Sequence, residues 1–446
     1  MVKKGFRFLA YIFAVLVILG TALITTVDWT PYQETDYYQT TMDRLQQFEL
    51  EQKDVGYVLA GWGKANFTPG QPVPLVAYKP RGDYEFVEDS SFVKALVFGT
   101  PDFKVAVLNY ELLIIHPHLA QRIRSKVAGS GFNIDQFYFT ATHTHSGIGG
   151  TIPGLIGFLA MGGWDEEIVT LLEEKTLLAL NNAVQKMDTV SIGYKKANAA
   201  GFVANRLIAE DPVDPFLRQL VFENTAGETC AFVTYSAHAT CLNSRFMGLS
   251  GDYPHYLTGW MQEHMDFALF ASGTVGSHRP MAPGNDIQSV KQYAYSLDTV
   301  LRGDGSDVKP VSGTMLKIGT LPLALRSPHY RISDNLRLRP WVFNWIFGDN
   351  PAHFDVVQLG NTLLISSSGE LSGVFYENWE NLAEQNGFNL MVTTFNGGYV
   401  GYITPDEYYH KKLYEVRDMN LYGPYNGAYF NEVMEGLIDK AIHPSN

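Results

Sequence analysis

The sequence predicts an α/β (α+β) fold, in which mixed β-sheets are flanked by helices in one large domain that follows an N-terminal transmembrane helix. Short runs rich in β-branched and aromatic residues recur along the chain, and helical patterns separate several of them. The strand runs are residues 95–98, 105–108, 137–141, 191–194, 230–235, 354–359, 362–366 and 390–394. The clearest helical patterns are residues 117–127 and 165–187. Strands mixed with helices in this way indicate an α/β or α+β domain.

The composition is typical of a globular protein, since 46% of the 446 residues are hydrophobic and 18% are charged. A net charge of -13, with no basic run after the first ten residues, argues against a nucleic-acid partner. The two cysteines, Cys230 and Cys241, form no CxxC motif, which leaves a cysteine zinc site unsupported and a disulfide between them open. No Ser/Pro-rich linker interrupts residues 56–442. We therefore predict a membrane anchor or signal segment over 1–27, a stalk over 28–54 and one domain over 55–446.

The N-terminus determines the expected localisation. Lys3, Lys4 and Arg7 precede an uncharged run over residues 8–27. Twenty helical residues span about 30 Å, enough to cross a bilayer. The positive flank should remain cytoplasmic, so the rest of the chain should be periplasmic or extracellular. A cleaved signal peptide is the alternative and would make the protein secreted, although its apolar core is usually only about 7–15 residues long.

A strand that ends in two histidines and a glycine turn is the most informative motif. Residues 136–150 read Gln-Phe-Tyr-Phe-Thr-Ala-Thr-His-Thr-His-Ser-Gly-Ile-Gly-Gly. Side chains two apart on a strand share a face, so His143 and His145 should point the same way. Neutral imidazole is the commonest metal ligand in proteins. A metal or acid/base site and a pair of hydrogen-bonded loop histidines are both open interpretations.

Four further segments contain polar residues in apolar surroundings. They are residues 233–241 around His238, residues 249–253, residues 364–370 ending in Glu370, and the glycine- and tyrosine-rich residues 396–409. Each is a weak indication alone. Two histidine segments with a glutamate at a strand end would suit a hydrolytic zinc site, which keeps one position open for water.

Taken together, these motifs resemble the catalytic domain of the neutral/alkaline ceramidase family, over roughly residues 55 to 420 and in one consistent order. The matching motifs are Thr-His-Thr-His-Ser-Gly-x-Gly-Gly at 142–150, a compressed Ala-x-His-x-Thr at 237–240, Ser-Gly-Asp at 250–252, Ser-Gly-Glu at 368–370 and the tyrosine-rich stretch at 399–408. The opening residues 61–69 also resemble the start of that family. The implied ligands, for one Zn2+ per chain, are His143, His238, Glu370 and Tyr402. The resemblance further implies His145 as an acid/base or oxyanion-facing group, Arg206 as an active-site arginine and Tyr414 as a second tyrosine.

One departure from the family pattern concerns its active-site serine, which lies in a Gly-x-x-Ser-Pro-Asn stretch. Residues 276–281 read Gly-Ser-His-Arg-Pro-Met here, so an ungapped comparison puts Arg279 in the place of the serine and Ser277 two residues earlier. A serine-nucleophile mechanism is therefore in doubt, whereas direct attack by zinc-bound water would not require a serine at this position. Arg279 is either a ligand for an anionic substrate group or part of a surface ion pair.

The resemblance implies a membrane-anchored zinc-dependent amidase that releases a fatty acid and a sphingoid base from ceramide or a related sphingolipid. An amidase for another N-acylated lipid, and an inactive lipid-binding homologue, are the alternatives. Two apolar segments are candidates for contact with lipid: the glycine-rich residues 147–164 and the aromatic residues 340–347. A buried helix start is the alternative for residues 147–164, and core packing is the favoured interpretation of residues 340–347.

Overall fold

Helices and mixed sheets alternate along the chain, which confirms the predicted α/β (α+β) class. The computed structural model describes residues 2–78, 80–303, 305 and 307–443. The α-helices are α1 (Val2–Leu23), α2 (Asp36–Gln47), α3 (Pro117–Ala128), α4 (Gly154–Ala160), α5 (Glu166–Val184), α6 (Asp252–Met261), α7 (Ile287–Gly303), α8 (Pro340–Phe347), α9 (Tyr376–Gln385) and α10 (Asn426–Ile442). The strands are β1 (Ile24–Thr26), β2 (Glu51–Asp54), β3 (Val58–Asn66), β4 (Phe86–Val87), β5 (Phe92–Thr100), β6 (Phe103–Tyr110), β7 (Gln136–Ala141), β8 (Asp188–Asn198), β9 (Val203–Asn205), β10 (Phe216–Asn224), β11 (Thr229–Tyr235), β12 (Gly248–Leu249), β13 (Phe267–Ser272), β14 (His278–Pro280), β15 (Lys309–Pro310), β16 (Met315–Leu323), β17 (Leu336–Leu338), β18 (Ala352–Leu359), β19 (Thr362–Ser367), β20 (Glu370–Leu371), β21 (Asn389–Thr394) and β22 (Tyr402–Ile403).

Two large sheets stack face to face at the centre of the fold. One has nine strands, in the order β13-β11-β10-β8-β3-β5-β6-β7 with β15 added to β8, and the other has five, in the order β2-β16-β18-β19-β21. Buried apolar side chains of both sheets, such as Phe98 from the first and Ile318 and Val357 from the second, form one cluster between them. Cys230 also lies in this cluster, and both it and Cys241 are free thiols.

Helices cover the outer faces of the two sheets. The helix α5 shows why such a segment folds and packs. The side chain of Asp165 caps its first turn by accepting hydrogen bonds from the backbone N–H groups of Glu167 and Ile168. Its apolar residues at helical spacing, including Ile168, Leu172 and Leu180, are buried against the nine-stranded sheet. The helices α9 and α10 cover the five-stranded sheet in the same manner.

The carboxyl ends of several strands meet at one place. The strands β6 and β7 pair in parallel, as do β11 and β13, and β19 and β21. The nine-stranded sheet curls so that its edge strand β13 meets β6 and the end of β7: Ser272 Oγ donates to the Thr142 carbonyl at 3.0 Å, and Asn109 Nδ2 donates to the Phe270 carbonyl at 2.6 Å. The loops that follow β7, β11, β13, β19 and β21 are thereby brought to one edge of the fold.

The N-terminal apolar run is shorter as a helix than we predicted. The prediction was one helical span over residues 8–27, but α1 ends at Leu23 and Ile24–Thr26 forms β1, which pairs with β17. The strand Leu336–Leu338 supplies the backbone partners that end the helix. Gly5–Leu23, with a mean hydropathy of 2.2, is the one helix in the described part of the chain long and apolar enough to cross a membrane. A signal sequence meets the same criterion.

Residues 28–54, which we predicted as a stalk, pack against the rest of the protein. The strand β2 pairs with β16 and so joins the five-stranded sheet. The helix α2 buries Thr41 and Leu45, and Thr41 Oγ1 accepts hydrogen bonds from the backbone N–H of Ala324 and the hydroxyl of Tyr429. The apolar face of α2 was too short to indicate this packing from the sequence.

Candidate active site

The imidazole of His143 is held at the point where β7 ends. Its backbone has a φ of 61°, the left-handed region that costs a non-glycine residue about 1–3 kcal/mol and that occurs preferentially at functional sites. The ring stacks on Phe395 with 4.3 Å between centroids, and Nδ1 hydrogen-bonds the Leu113 carbonyl at 2.7 Å. Because that carbonyl must accept, Nδ1 carries the proton and the lone pair of Nε2 is free.

His238, in the loop after β11, faces His143, and its ring is also held by a backbone carbonyl. Its Nδ1 hydrogen-bonds the Val275 carbonyl at 2.8 Å, and its Nε2 lies 2.9 Å from Nε2 of His143. Complete burial, followed by the charge of Arg206, lowers the pKa of His238 well below that of an ordinary histidine. A neutral ring whose proton is committed to a carbonyl is the form that binds a metal ion.

His145 completes a cluster of three histidines. Its Nε2 lies 3.3 Å from Nε2 of His143, and the ligand atoms of His143, His145 and His238 all lie within 4.8 Å of one another. Burial, followed by His143, lowers the pKa of His145 well below its usual value. Unlike the other two rings, His145 has a buried Nδ1 with no hydrogen-bond partner among the described residues.

Glu370 adds a carboxylate to the same centre. One of its oxygens, Oε2, lies 3.5 Å from Nε2 of both His143 and His238, while Oε1 accepts a hydrogen bond from the hydroxyl of Tyr399 at 2.7 Å. Burial opposes ionisation of Glu370, but His143 in its protonated form, the hydroxyl of Tyr399 and the charge of Arg206 hold its pKa below the usual value. Glu370 is therefore an anion whose Oε2 has no hydrogen-bond partner in the described structure.

The spacing of these donors fits a tetrahedral metal ion. Zinc bound at about 2.0–2.1 Å in tetrahedral geometry separates its donor atoms by about 3.3 Å. The distances among the donors of His143, His238 and Glu370 are 2.9, 3.5 and 3.5 Å. The unpartnered, ionised Oε2 of Glu370 is also what a cation would neutralise. The donor set is thus suited to a divalent metal ion.

Tyr402 and Arg206 lie on one side of this centre. The hydroxyl of Tyr402 is 3.2 Å from Nε2 of His238 and accepts a hydrogen bond from Nη2 of Arg206 at 3.1 Å. Arg206 Nε in turn forms an ion pair with Glu415 Oε1 at 3.0 Å. The ring of Tyr414 meets that of Tyr402 edge-on, with 6.3 Å between centroids. These residues form a polar wall next to the histidines.

An apolar cavity of about 520 Å³ opens above the cluster. His143, His145, Glu370 and Tyr402 line it at one end. Its other walls are mostly apolar, and part of them comes from the two segments that the sequence indicated as lipid-facing candidates, residues 147–164 and 340–347. The lining residues from these segments are Ile152, Ile156, Ala160, Met161, Phe343, Ile346 and Phe347. Cavities of this size accommodate small-molecule ligands.

Ser277 and Arg279 are not brought to the cavity, which neither residue lines. Ser277 is fully buried, and its Oγ accepts hydrogen bonds from Ser372 Oγ at 2.8 Å and from the backbone N–H of Gly373 at 3.2 Å. Arg279 is exposed on β14, because neighbouring residues of a strand point to opposite sides and His278 takes the buried position. The buried environment of Ser277 includes no base that could activate it among these partners.

Two polar residues of the site had no assigned role from the sequence. Tyr399, which binds Glu370, was visible only as part of the tyrosine-rich stretch. Glu415, which pairs with Arg206, directly follows Tyr414, but nothing in the sequence indicated an ion pair with a residue more than 200 positions earlier. The other predicted site residues, apart from Ser277 and Arg279, are brought together.

The fold and the site define a class of protein with a buried histidine and carboxylate centre at the base of an apolar cavity. No protein-family model and no curated protein matches the sequence. Solved structures of ceramidases do match the fold. The neutral ceramidase from Pseudomonas aeruginosa has a TM-score of 0.73 at 16% identity, over 86% of this chain and 74% of that chain. A ceramidase complexed with C2 has a TM-score of 0.72 at 16% identity, over 86% and 75%. This chain therefore has the fold of neutral ceramidase.

Proposed function

We propose that this protein is a membrane-anchored, zinc-dependent amidase that hydrolyses the N-acyl bond of ceramide or a related sphingolipid. The observation that supports this most is the cluster of His143, His238 and Glu370 next to an apolar cavity, in a chain with the fold of neutral ceramidase. Two histidine nitrogens and one carboxylate oxygen are ligands of the kind that catalytic zinc sites use. A substrate whose amide is flanked by hydrocarbon would match the polar base and apolar walls.

The residues around the cluster would each have a separate task. A zinc ion held by His143, His238 and Glu370, with Tyr402 beside it, would polarise the amide carbonyl and lower the pKa of water. Arg206, held by its ion pair with Glu415, would direct a cationic donor toward the side of Tyr402, where negative charge develops on the carbonyl oxygen.

His145 would move the proton. Water adds its oxygen to the carbonyl carbon, one of its protons passes to the imidazole of His145, and that proton is then given to the amide nitrogen as the C–N bond breaks. The products are a fatty acid and a sphingoid base. The position of His145 supports this role, because its ring lines the cavity and its Nε2 lies 3.3 Å from Nε2 of His143, within reach of a water at the cluster.

Hydrolysis of a panel of lipids, with and without a chelator, tests the proposal. Fatty acid and sphingoid base should be released from ceramide, the chelator should stop the release, and added Zn2+ should restore it. Release from other N-acylated lipids but not from ceramide would establish the related amidase instead. Stoichiometric metal and lipid binding without release from any lipid would indicate a binding protein.

We expect little catalytic effect from changes at Ser277 and Arg279. Ser277→Ala should leave turnover per folded molecule far above the loss of about 10⁴ or more that follows removal of a nucleophile. It should lower the free energy of unfolding by about 1–3 kcal/mol, because the N–H of Gly373 loses its buried acceptor. Steady-state kinetics and thermal unfolding measure the two effects separately.

Arg279→Ala serves as the matched control, since its exposed side chain should affect neither KM nor the melting temperature. An acyl-enzyme trapped on Ser277 would contradict the direct attack of water on the substrate. A large rise in KM for Arg279→Ala would contradict the surface position of that side chain and assign it to substrate binding.

The helix α1 should anchor the protein, with the catalytic domain on the extracytoplasmic side. The full-length protein is expected to remain in the membrane fraction after high-salt and carbonate washes. A variant that starts at Ile24 should be soluble and folded, because it keeps β1 paired with β17. A variant that starts at Trp29 should be less stable, since it loses β1 and the buried Val27.

Comparison of the two shortened variants by thermal unfolding separates loss of the anchor from loss of β1. Intact-mass evidence that the mature chain is cleaved after α1 would refute a retained anchor and make the protein secreted.

A further inference from the structure

The helix α8 presents two large aromatic side chains to solvent. Its sequence, PWVFNWIF, contains no charged residue. Trp341 is 57% exposed and Trp345 is 69% exposed, and residues four apart on a helix lie on one face. The opposite side of the same helix is buried through Val342 and Phe343. One helix thus has a packed apolar face and an exposed apolar face.

The helix α4 packs beside α8 and repeats this arrangement. Its seven residues, GLIGFLA, are also uncharged. Phe158 is 76% exposed and Leu159 is 52% exposed, while Ile156 and Ala160 point inward and line the cavity. We call Phe158, Leu159, Trp341 and Trp345 the docking face. Single exposed apolar residues are common, but four large ones on two adjoining helices form a patch that usually marks an interaction site.

The position of α1 indicates what covers this face. The backbone N–H of Arg339, the residue before α8, donates to the Leu23 carbonyl at 2.8 Å, and Arg339 Nε donates to the Thr21 carbonyl at 2.8 Å. The strand pairing of Ile24 with Leu338 continues the same junction. The end of the membrane-length helix is therefore bonded directly to the start of α8, so the docking face begins where the chain would leave a bilayer.

The chemistry of the face also favours a lipid surface. Tryptophan is enriched at the boundary between lipid and water, because its ring is apolar and its N–H is polar. The protein has a net charge of -13, so attraction to anionic headgroups would not drive the contact. Burial of apolar side chains in a zwitterionic interface would do so.

We propose that the docking face inserts into the same leaflet boundary from which α1 emerges, so that the wall of the cavity formed by α4 and α8 faces lipid. The inner side of this wall lines the cavity through Ile156, Phe343 and Phe347. A lipid substrate would then reach the cavity from the bilayer without crossing water. That last consequence rests on the proposed function, whereas the docking itself does not.

The test uses the full-length protein in nanodiscs of phosphatidylcholine with brominated acyl chains, which quench tryptophan fluorescence on contact. The chain has seven tryptophans and none lies in α1, so quenching reports on the rest of the protein. The double variant Trp341→Phe with Trp345→Phe keeps an apolar face but removes its fluorophores. We expect the wild-type protein to be quenched and this variant to lose most of the quenched emission. Trp260→Phe, on α6, is the matched control and should leave the quenched emission unchanged.

A second double variant tests the consequence for activity. Trp341→Ser with Trp345→Ser should lower hydrolysis of bilayer-embedded ceramide by about tenfold, the effect of about 1.4 kcal/mol of lost contact. Hydrolysis of a short-acyl substrate dissolved in water should be unchanged, because neither tryptophan lines the cavity. Unchanged melting temperature and metal content verify that the variant is folded.

Each outcome has a defined meaning. Absence of quenching in the wild-type protein, or equal quenching after Trp341→Phe with Trp345→Phe, would overturn the docking. Two chains per nanodisc without quenching would assign the face to a second copy and would overturn it as well. Quenching that depends on the two tryptophans, without hydrolysis of any lipid, would support the docking and refute the proposed function.

Discussion

Replacement of His143 or His238 by alanine is expected to remove the bound metal and the hydrolytic activity together. Each ring has its Nδ1 committed to a backbone carbonyl, so that Nε2 is presented in the one tautomer that can bind a cation. The two nitrogens are 2.9 Å apart, so removal of either ring takes away one of two adjacent donors of the centre. We expect a loss of activity of about 10⁴ or more, as when a member of a cooperative catalytic unit is removed.

Metal content by mass spectrometry and release of fatty acid are the two measurements. Exposed His118 provides the matched control, since His118→Ala changes the same residue type outside the cluster and should bind a full equivalent of metal. Glu370→Gln should reduce metal affinity as well, because the centre would lose its only carboxylate among the described ligand atoms. Full activity with less than stoichiometric metal would end the zinc-amidase proposal.

Much of the fold could be predicted because the strand signals are local. All eight predicted strand runs lie within observed strands, for example residues 137–141 within β7 and 362–366 within β19. Alternating or continuous apolar residues at strand spacing are sufficient for that prediction. The stacking of the two sheets was not predictable, since both faces of several central strands are apolar and the sequence does not state which face meets which sheet.

The end of α1 shows where local patterns fail. Residues 24–27 are uncharged, like residues 8–23 before them, so the composition alone predicted a helix that continued to residue 27. The structure instead pairs Ile24–Thr26 with a strand more than 300 positions later. The β-branched residues of that segment permit a strand, but only the presence of Leu336–Leu338 selects it.

The candidate site was predictable as a set of segments and only partly as a set of side chains. His143 and His238 follow strands of the nine-stranded sheet and Glu370 follows β19 of the five-stranded sheet, so the three meet because the ends of parallel pairs from both sheets lie on the same side of the fold. The register within β14 was not available from motif comparison. A shift of one residue along a strand moves a side chain from the buried face to the exposed face. Motif comparison aligned Arg279 with the family's serine, but the side chain of Arg279 lies on the exposed face of β14.

His145→Ala is expected to keep the metal and lose turnover, which distinguishes its role from that of its neighbours. A ligating histidine normally donates its other ring N–H to a carbonyl or carboxylate, and His143 and His238 both do so. His145 has no such partner among the described residues, although its Nε2 is only 3.3 Å from that of His143. A ring that lines the cavity with a free nitrogen is suited to proton transfer, so kcat should fall by about 10² to 10⁴.

Tyr78→Phe and Tyr402→Phe are the control variants for the prediction about His145→Ala. The ring of Tyr78 lies 5.2 Å from that of His145 and its hydroxyl donates to the Leu242 carbonyl, so Tyr78→Phe keeps the packing and should be nearly as active as the wild type. Tyr402→Phe should weaken metal binding and activity, but less than His143→Ala, because its hydroxyl is shared with Arg206. If His145→Ala instead loses its metal while Tyr402→Phe retains it, His145 is the fourth ligand, and the proton must be moved by another group at the polar wall.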